Sequence, residues 1–339
     1  MSVNLPLAVA VMVLATAAIW KGSEWLERAS ERLSTYYGLP LVVQGAIVAA
    51  IGSSFPELAS VVFAALIAGS LELGVGAIVG SAIFNILVIP AVAGLATDEP
   101  LEASRTLVYK EAQFYMLAVS VLLITFALAV IYYPAPGGDL AGFVTRPLAV
   151  LPLGLYGLYV FIQVQDTADH EPEPLAEAID VRRQWLALAA GLVVILVAVE
   201  QLVHYVEAVG EAAGLSRFLL GVTIVAAATS LPDTLVSLRA ARDDRGVTSM
   251  ANVLGSNTFD LLVAIPVGVM LVGSSPIDFA MAVPMFAALT GATILLFTFL
   301  RTEMSLTSLE ALVLLLAYGA FLAWVIAEIS GAIAGILPT

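Results

Sequence analysis

Two stretches put oxygen-bearing side chains into otherwise apolar sequence. IGSSFPELAS at 51–60 carries Ser53, Ser54, Pro56 and Glu57, and AATSLPDTLVS at 227–237 carries Thr229, Ser230, Pro232 and Asp233. A proline removes one helix donor and crowds the carbonyl four residues earlier. Pro56 is therefore expected to disturb the ladder around Gly52 and Ser53, and Pro232 that around Ala228 and Thr229. Further along, Ser81 with Asn85 and Ser256 with Asp260 each stand four residues apart, on one helix face. All these groups are hard oxygen donors, with nitrogen only in amides, a set that suits calcium, sodium or magnesium rather than zinc or copper. Two carboxylates and two kink carbonyls would supply about six oxygens, the lower end of calcium's usual coordination.

The elements that must hold these groups are membrane helices. The chain has 339 residues, 61% hydrophobic and only 12% charged, with mean hydropathy +1.02; soluble domains carry roughly one-quarter charged residues. Cysteine is absent, which excludes disulfides, thiol catalysis and thiolate metal sites. The net charge of −14 comes largely from connecting segments such as QDTADHEPEPLAEAID at 165–180, read as a solvated loop. Acidic loops and the near-absence of lysine hint at a salt-adapted source. A crossing helix needs about 20 apolar residues. The chain offers ten such stretches: 3–21, 40–67, 72–95, 113–133, 146–164, 184–205, 216–239, 248–272, 278–300 and 308–330. The first is read as a retained span. GSEWLERASERLSTYYG, which follows it, has helical spacing and is read as an extension or an interfacial helix.

Lys and Arg favour cytoplasmic loops. With the N-terminus outside, the inner connections hold Lys21, Arg28, Arg32, Arg105, Lys110, Arg182, Arg183, Arg239, Arg242, Arg245 and Arg301, and the outer ones only Arg146 and Arg217. Both termini are therefore expected to face outward. At an offset of 176 residues Gly38 falls on Gly214, Gly45 on Gly221, Ser54 on Ser230 and Pro56-Glu57 on Pro232-Asp233; with one residue of slippage GSAIFN at 80–85 falls on GSNTFD at 255–260. Five spans per copy means that the second copy enters the membrane from the opposite side. The expected fold is thus an all-α integral membrane protein, ten transmembrane helices as two inverted five-helix repeats: 1–164 (motif 50–85), an acidic cytoplasmic loop at 165–183, and 184–339 (motif 226–260).

A carboxylate inside the membrane is costly and normally paired. No Lys or Arg lies near the middle of any predicted span, so the counter-charge must be a proton or a bound cation. Ser81 or Gly80 taken singly reads as helix packing, whereas Glu57 and Asp233, at equivalent positions beside equivalent prolines, do not. Glu200 and His204, four apart, are read as lying at the water interface rather than as a proton relay. No nucleotide-binding motif is present.

At these residues the chain resembles the cation/calcium antiporter superfamily, and within it the prokaryotic-type sodium/calcium exchangers with two alpha-repeats. The first repeat reads GSSFPE then GSAIFN, the second ATSLPD then GSNTFD. The resemblance implies a non-enzymatic antiporter of the cell membrane that works by alternating access, normally extruding calcium, with sodium and calcium as transported ions and no cofactor. It further implies that Glu57 and Asp233, with the carbonyls of Ser53 and Thr229, bind calcium. Ser54, Ser230, Ser81, Ser256, Asn85, Asp260 and the carbonyls of Ala50 and Ala226 would form the sodium sites together with Glu57 and Asp233. The first helix and its sixth-span counterpart would slide over a rigid core. Ala82 and Ala228 depart from the motifs without removing an oxygen ligand. Asp233 and Asp260 leave potassium coupling open. The central loop is too short for the calcium-sensing domains of animal exchangers, and no nucleic-acid partner is implied. Proton/calcium exchange is the alternative within the superfamily. Outside it stand a cation channel and an intramembrane aspartyl protease using Asp233 and Asp260, which lacks a Gly-x-Gly-Asp motif.

Overall fold

The computed structural model describes residues 5–39, 48, 50–67, 71–97, 99–105, 107–136, 140–165, 179–215 and 217–329. Helix α1 (Leu5–Tyr36) runs unbroken through the first span and the charged segment after it, so that segment is a helical extension. It stops at Gly38, whose φ of 65° is a left-handed conformation that glycine adopts without strain. There Gly38 N–H reaches Thr35 O and Leu39 N–H reaches Ser34 O. Helix α7 (Val181–Ala213) ends in the same way at Gly214, φ 68°, with Gly214 N–H to Glu211 O and Leu215 N–H to Gly210 O. The two caps stand 176 residues apart, the offset read from the motifs.

The first motif lies on α2 (Ala50–Ser53), α3 (Phe55–Ile67) and α4 (Glu72–Leu95). Helix α5 (Ala112–Tyr132) follows a π-turn at Leu107–Glu111, and α6 (Arg146–Gln165) precedes α7. The second motif begins with α8 (Arg217–Leu220), a π-turn at Gly221–Val225, α9 (Ala226–Thr229) and α10 (Leu231–Arg242). It continues in α11 (Gly246–Phe259), a π-turn at Asp260–Ala264 and α12 (Ile265–Val272). Helices α13 (Phe279–Arg301) and α14 (Ser308–Ile329) complete the described chain. Among the described residues eight helices are long and apolar enough to cross a membrane, and the segment Arg217–Arg242, bent by 43° at its break, makes a ninth. Of the expected span 40–67, residues 40–47 and 49 lie outside the described residues.

Short antiparallel ribbons tie connections together at the two ends. At one, β1 (Leu101–Glu102) pairs with β4 (Ser305–Leu306), beside Gly246. At the other, β2 (Ala141–Thr145) pairs with β3 (Ser274–Asp278), Arg146 Nε donates to Met270 O at 2.9 Å, and Leu71 N–H donates to Ser275 Oγ at 3.2 Å.

Helix α4 is apolar on nearly every side and sits inside the bundle, as an all-round hydrophobic helix must. The larger apolar cluster surrounds it with α5 and α11 to α14; a smaller one joins α1 and α7 to α3, α4, α8 and α9. Backbones come unusually close where α4 crosses the segment 217–225. A Cβ on Gly80 would stand 2.3 Å from Val222 O, one on Gly76 2.3 Å from Phe218 O, and one on Gly221 2.2 Å from Leu73 O. Small residues permit such crossings, which gain close packing and do not rely on water expulsion.

Candidate cation site

Both motif helices are interrupted at a serine. Ser54 N–H still reaches Ala50 O and Leu58 N–H reaches Ser54 O, at 3.0 and 3.1 Å. Pro56 offers no N–H to the Gly52 carbonyl. The second copy repeats this: Ser230 N–H to Ala226 O at 3.0 Å, Thr234 N–H to Ser230 O at 3.1 Å, and Pro232 without a donor for Ala228 O. The break falls two residues before each proline, and each carboxylate is the third residue of the helix that restarts. A helix N-terminus favours negative charge, so the restart positions Glu57 and Asp233 favourably.

Every expected ligand residue is buried: Ala50, Ser53, Ser54, Glu57, Ser81, Asn85, Ala226, Thr229, Ser230, Asp233, Ser256 and Asp260 are each at most 1% exposed. Hydrogen bonds join the two copies. Ser230 Oγ donates to Ser81 Oγ at 2.8 Å, and Ser81 makes a long 3.5 Å contact to Glu57 Oε1. Ser256 Oγ donates to Asp233 Oδ1 at 3.1 Å, and the Ser53 and Ser256 hydroxyls lie 3.2 Å apart. Asn85 gives one amide N–H to Asp233 Oδ2 and the other to Asn257 Oδ1, both at 3.0 Å. The Thr229 hydroxyl turns back to Val225 O, and the Ala50 and Ala226 carbonyls also receive the hydroxyls of Ser53 and Thr229 at 3.3 and 3.4 Å.

What is left unpaired decides the chemistry. Ser54 Oγ, Glu57 Oε2, Asn85 Oδ1 and both oxygens of Asp260 are buried with no hydrogen-bond partner within 3.5 Å, Ser54 being close enough to act on the Asp260 carboxylate. Ion pairs sit elsewhere: among the described residues no Lys, Arg or His pairs with Glu57, Asp233 or Asp260. Buried acceptors with neither donor nor counter-charge are expensive, and the charge of Glu57 also faces those of Asp260 and Asp233. Among the described residues no three carboxylate or imidazole side chains alone form a metal-holding cluster. An ion here would need the amide, hydroxyl and carbonyl oxygens as well.

Sequence reasoning missed Asn257. Besides accepting from Asn85, its amide donates to Ala82 O at 3.1 Å and to Tyr115 OH at 3.3 Å, so it braces α11 against α4 and α5. The signal was the third letter of GSN in the second motif, where the first has Ala82. Glu200 and His204 are exposed on α7, away from this site.

The sodium/calcium exchanger protein family model matches residues 7–165 and 183–327. The chain belongs to that family. Exchangers of this kind are membrane transporters, not enzymes. An uncharacterized membrane protein of Methanocaldococcus jannaschii, MJ0091, is 30% identical over 267 residues, covering 78% of this chain and 82% of that one. A 70-residue stretch is 40% identical to human sodium/potassium/calcium exchanger 1, covering 21% of this chain and 6% of that protein. Among solved structures, the sodium-calcium exchanger NCX_Mj soaked with 100 mM Na+ and 10 mM Sr2+ superposes with a TM-score of 0.64 at 24% identity, over 94% of this chain and 98% of that one. The exchanger fold is thus shared along nearly the whole chain.

Proposed function

We propose that this chain is a secondary antiporter that exchanges sodium for calcium across the cell membrane by alternating access. The observation that carries the reading is the group of five buried, unpartnered oxygens from Ser54, Glu57, Asn85 and Asp260, with no basic side chain paired to the carboxylates. Such a group calls for a cation, and oxygen donors of this kind suit calcium and sodium. On this reading Glu57 and Asp233, with the carbonyls of Ser53 and Thr229, hold calcium. Ser54, Ser81, Asn85, Ser230, Ser256, Asp260 and the Ala50 and Ala226 carbonyls complete the sodium sites. The two carboxylates serve both ions, so each ion displaces the other.

The architecture of this reading is ten helices in two inverted halves, 1–164 and 184–339, joined by the loop at 165–183. The end carrying Lys21, Arg239 and Arg245 is cytoplasmic by the bias of Lys and Arg, and both termini are extracellular. The deciding experiment is radioactive calcium uptake into sodium-loaded proteoliposomes, with external sodium replaced by choline, potassium or more sodium. Uptake that requires the outward sodium gradient is expected. Uptake indifferent to sodium refutes the reading. Asp260, with two unpartnered oxygens, together with the local match to a sodium/potassium/calcium exchanger, favours a second reading in which potassium is also carried; a further requirement for potassium would select it.

A further inference from the structure

Helix α1 carries polar groups that the ion site does not use. Ser23, Glu27, Ser30 and Ser34 recur along one stripe of the helix, and the three serines are buried. Ser23 Oγ has no hydrogen-bond partner although the residue is only 2% exposed. It opens into a small cleft with Glu24 and Glu27 on one side and Pro232, Leu235 and Arg239 of α10 on the other. The space is about 10 Å3, room for one water-sized species. Pro232 directly precedes Asp233 in the chain, and the charge of Asp233 is among those that act on Glu27.

The charges of this cleft are divided unequally. Glu24 pairs with Lys21 at 2.6 Å, with Arg28, and with Arg239 at 3.7 Å. Glu27 has no ion-pair partner among the described residues; Glu31, Arg239, Asp233 and Arg28 are the charges around it. One carboxylate is thus left over beside an unsatisfied hydroxyl.

Of the carboxylates in this cleft the other copy keeps only the counterpart of Glu24, Glu200, which is exposed. The matching glycine caps at 38 and 214 fix the offset of 176 along α1 and α7, which places Val199, Val203 and Val206 where α1 has Ser23, Glu27 and Ser30. The same offset places Pro56, Ala59 and Phe63 where α10 has Pro232, Leu235 and Arg239. Those three valines are 0% exposed and pack with Phe55, Ala59 and Phe63 in the smaller apolar cluster. The approach along α7 is closed by valine; the approach along α1 is lined by a carboxylate.

The geometry points to a cation waypoint at Glu27 and Ser23, a site through which sodium and calcium pass between the Glu27 end of the molecule and the central site, with no equivalent at the opposite end. This rests on the exchange function proposed above and adds that the two faces differ in how they admit ions. The waypoint attracts by charge, so its effect grows with ionic valence.

The test uses Glu27→Gln in the full chain, reconstituted in vesicles. Because the chain has no cysteine, Arg245→Cys at the exposed turn of the same end can be labelled from one compartment to identify which face is being loaded. Half-saturating concentrations of sodium and calcium are then measured at each face. At the Glu27 face they should rise about threefold for sodium and, because Coulomb energy doubles with ionic charge, about tenfold for calcium. The opposite face should be unchanged, and Glu27→Asp should restore most of the loss. No shift, an equal shift at both faces, or the same factor for both ions overturns the waypoint. If Glu27→Gln fails to fold, Ser23→Val, which leaves every charge in place, decides by shifting the same face or neither. Wild-type vesicles that do not exchange sodium for calcium overturn the proposed function and this inference together, whereas failure confined to the variants overturns this inference alone.

Discussion

Replacing Glu57 by glutamine should have opposite effects on ion binding and on the stability of the ion-free protein. Glu57 is fully buried, its Oε2 has no partner, and its Oε1 takes a long 3.5 Å contact from Ser81, with the Thr229 hydroxyl also acting on the carboxylate. Little hydrogen bonding is therefore lost, and repulsion with Asp233 and Asp260 is relieved. Without ions the variant should unfold no earlier than wild type. With calcium the order reverses. Removing one partner of a buried charge pair costs on the order of 2–5 kcal/mol; a loss of about 3 kcal/mol corresponds to more than 100-fold in affinity. Calcium at about 100 times the wild-type Kd stabilises wild type by about 2.7 kcal/mol, but a variant weakened about 100-fold by only about 0.4. Thermal unfolding followed by the fluorescence of the four tryptophans, with and without calcium, measures both quantities, and vesicle uptake should fall to background. Wild-type calcium stabilisation together with wild-type uptake would refute the assignment of Glu57 to the ion. A variant that unfolds early without ions would refute the claim that its carboxylate is unpaired in the empty site.

Three further outcomes follow from the structure. Asp260→Asn, which removes charge from two unpartnered oxygens, should change the sodium or potassium dependence of uptake more than its calcium half-saturation; an equal loss in calcium affinity with unchanged monovalent dependence would contradict that. Gly80→Ala should destabilise by about 1–3 kcal/mol through overpacking, because the new methyl meets the Val222 backbone at 2.3 and 2.6 Å. Gly157→Ala, with nothing within 4 Å, should instead be neutral or stabilising by up to about 1 kcal/mol, and melting curves of the pair compare the two directly.

Nine of the ten expected spans and the buried carboxylates were legible because their signals are local. A run of about twenty apolar residues has few alternatives in lipid, and an ionisable group inside one is conspicuous. The limits of α4, α6 and α14 accordingly fall within about a residue of those expected from hydropathy. Features made between distant segments were not legible. Asn257 reads as one polar residue among several until α11 is placed against Ala82 and Tyr115. Gly80 by itself reads as packing; the partner that makes its missing side chain indispensable is the Val222 backbone, 142 residues away in sequence. The ribbon β1–β4 is two residues long on each side, too short to carry a period. The π-turn at Gly221–Val225 arises where the backbone meets α4, a tertiary demand that no single helix pattern encodes.

The packing also separates a part suited to stay from a part suited to move. Helix α4 and the segment 217–225 are locked backbone to backbone by Gly76, Gly80 and Gly221; sliding one past the other would drive main-chain atoms together, and tightly packed contacts of this kind resist gradual deformation. Of the ion-site residues, Ser81 and Asn85 stand on α4, and Ala226, Thr229 and Ser230 follow directly on the locked segment. Helices α1 and α7 are different. They are fastened to each other where Gly22 and Gly191 meet, a Cβ on Gly191 falling 2.7 Å from Gly22 O, and they rest on the core through aliphatic side chains such as Ile19, Leu26, Val199 and Val203. Aliphatic surfaces give up little when one slides along the other, since no directional bond is broken. Ion pairs fasten the pair at opposite ends, Glu24 to Arg239 on α10 and Glu207 to Arg217 on α8, and these contacts are partly exposed, where an ion pair is worth only about 0–1 kcal/mol. In the proposed exchange cycle, α1 and α7 would therefore travel as one unit across an intact site, breaking a weak surface pair at one end as access changes to the other.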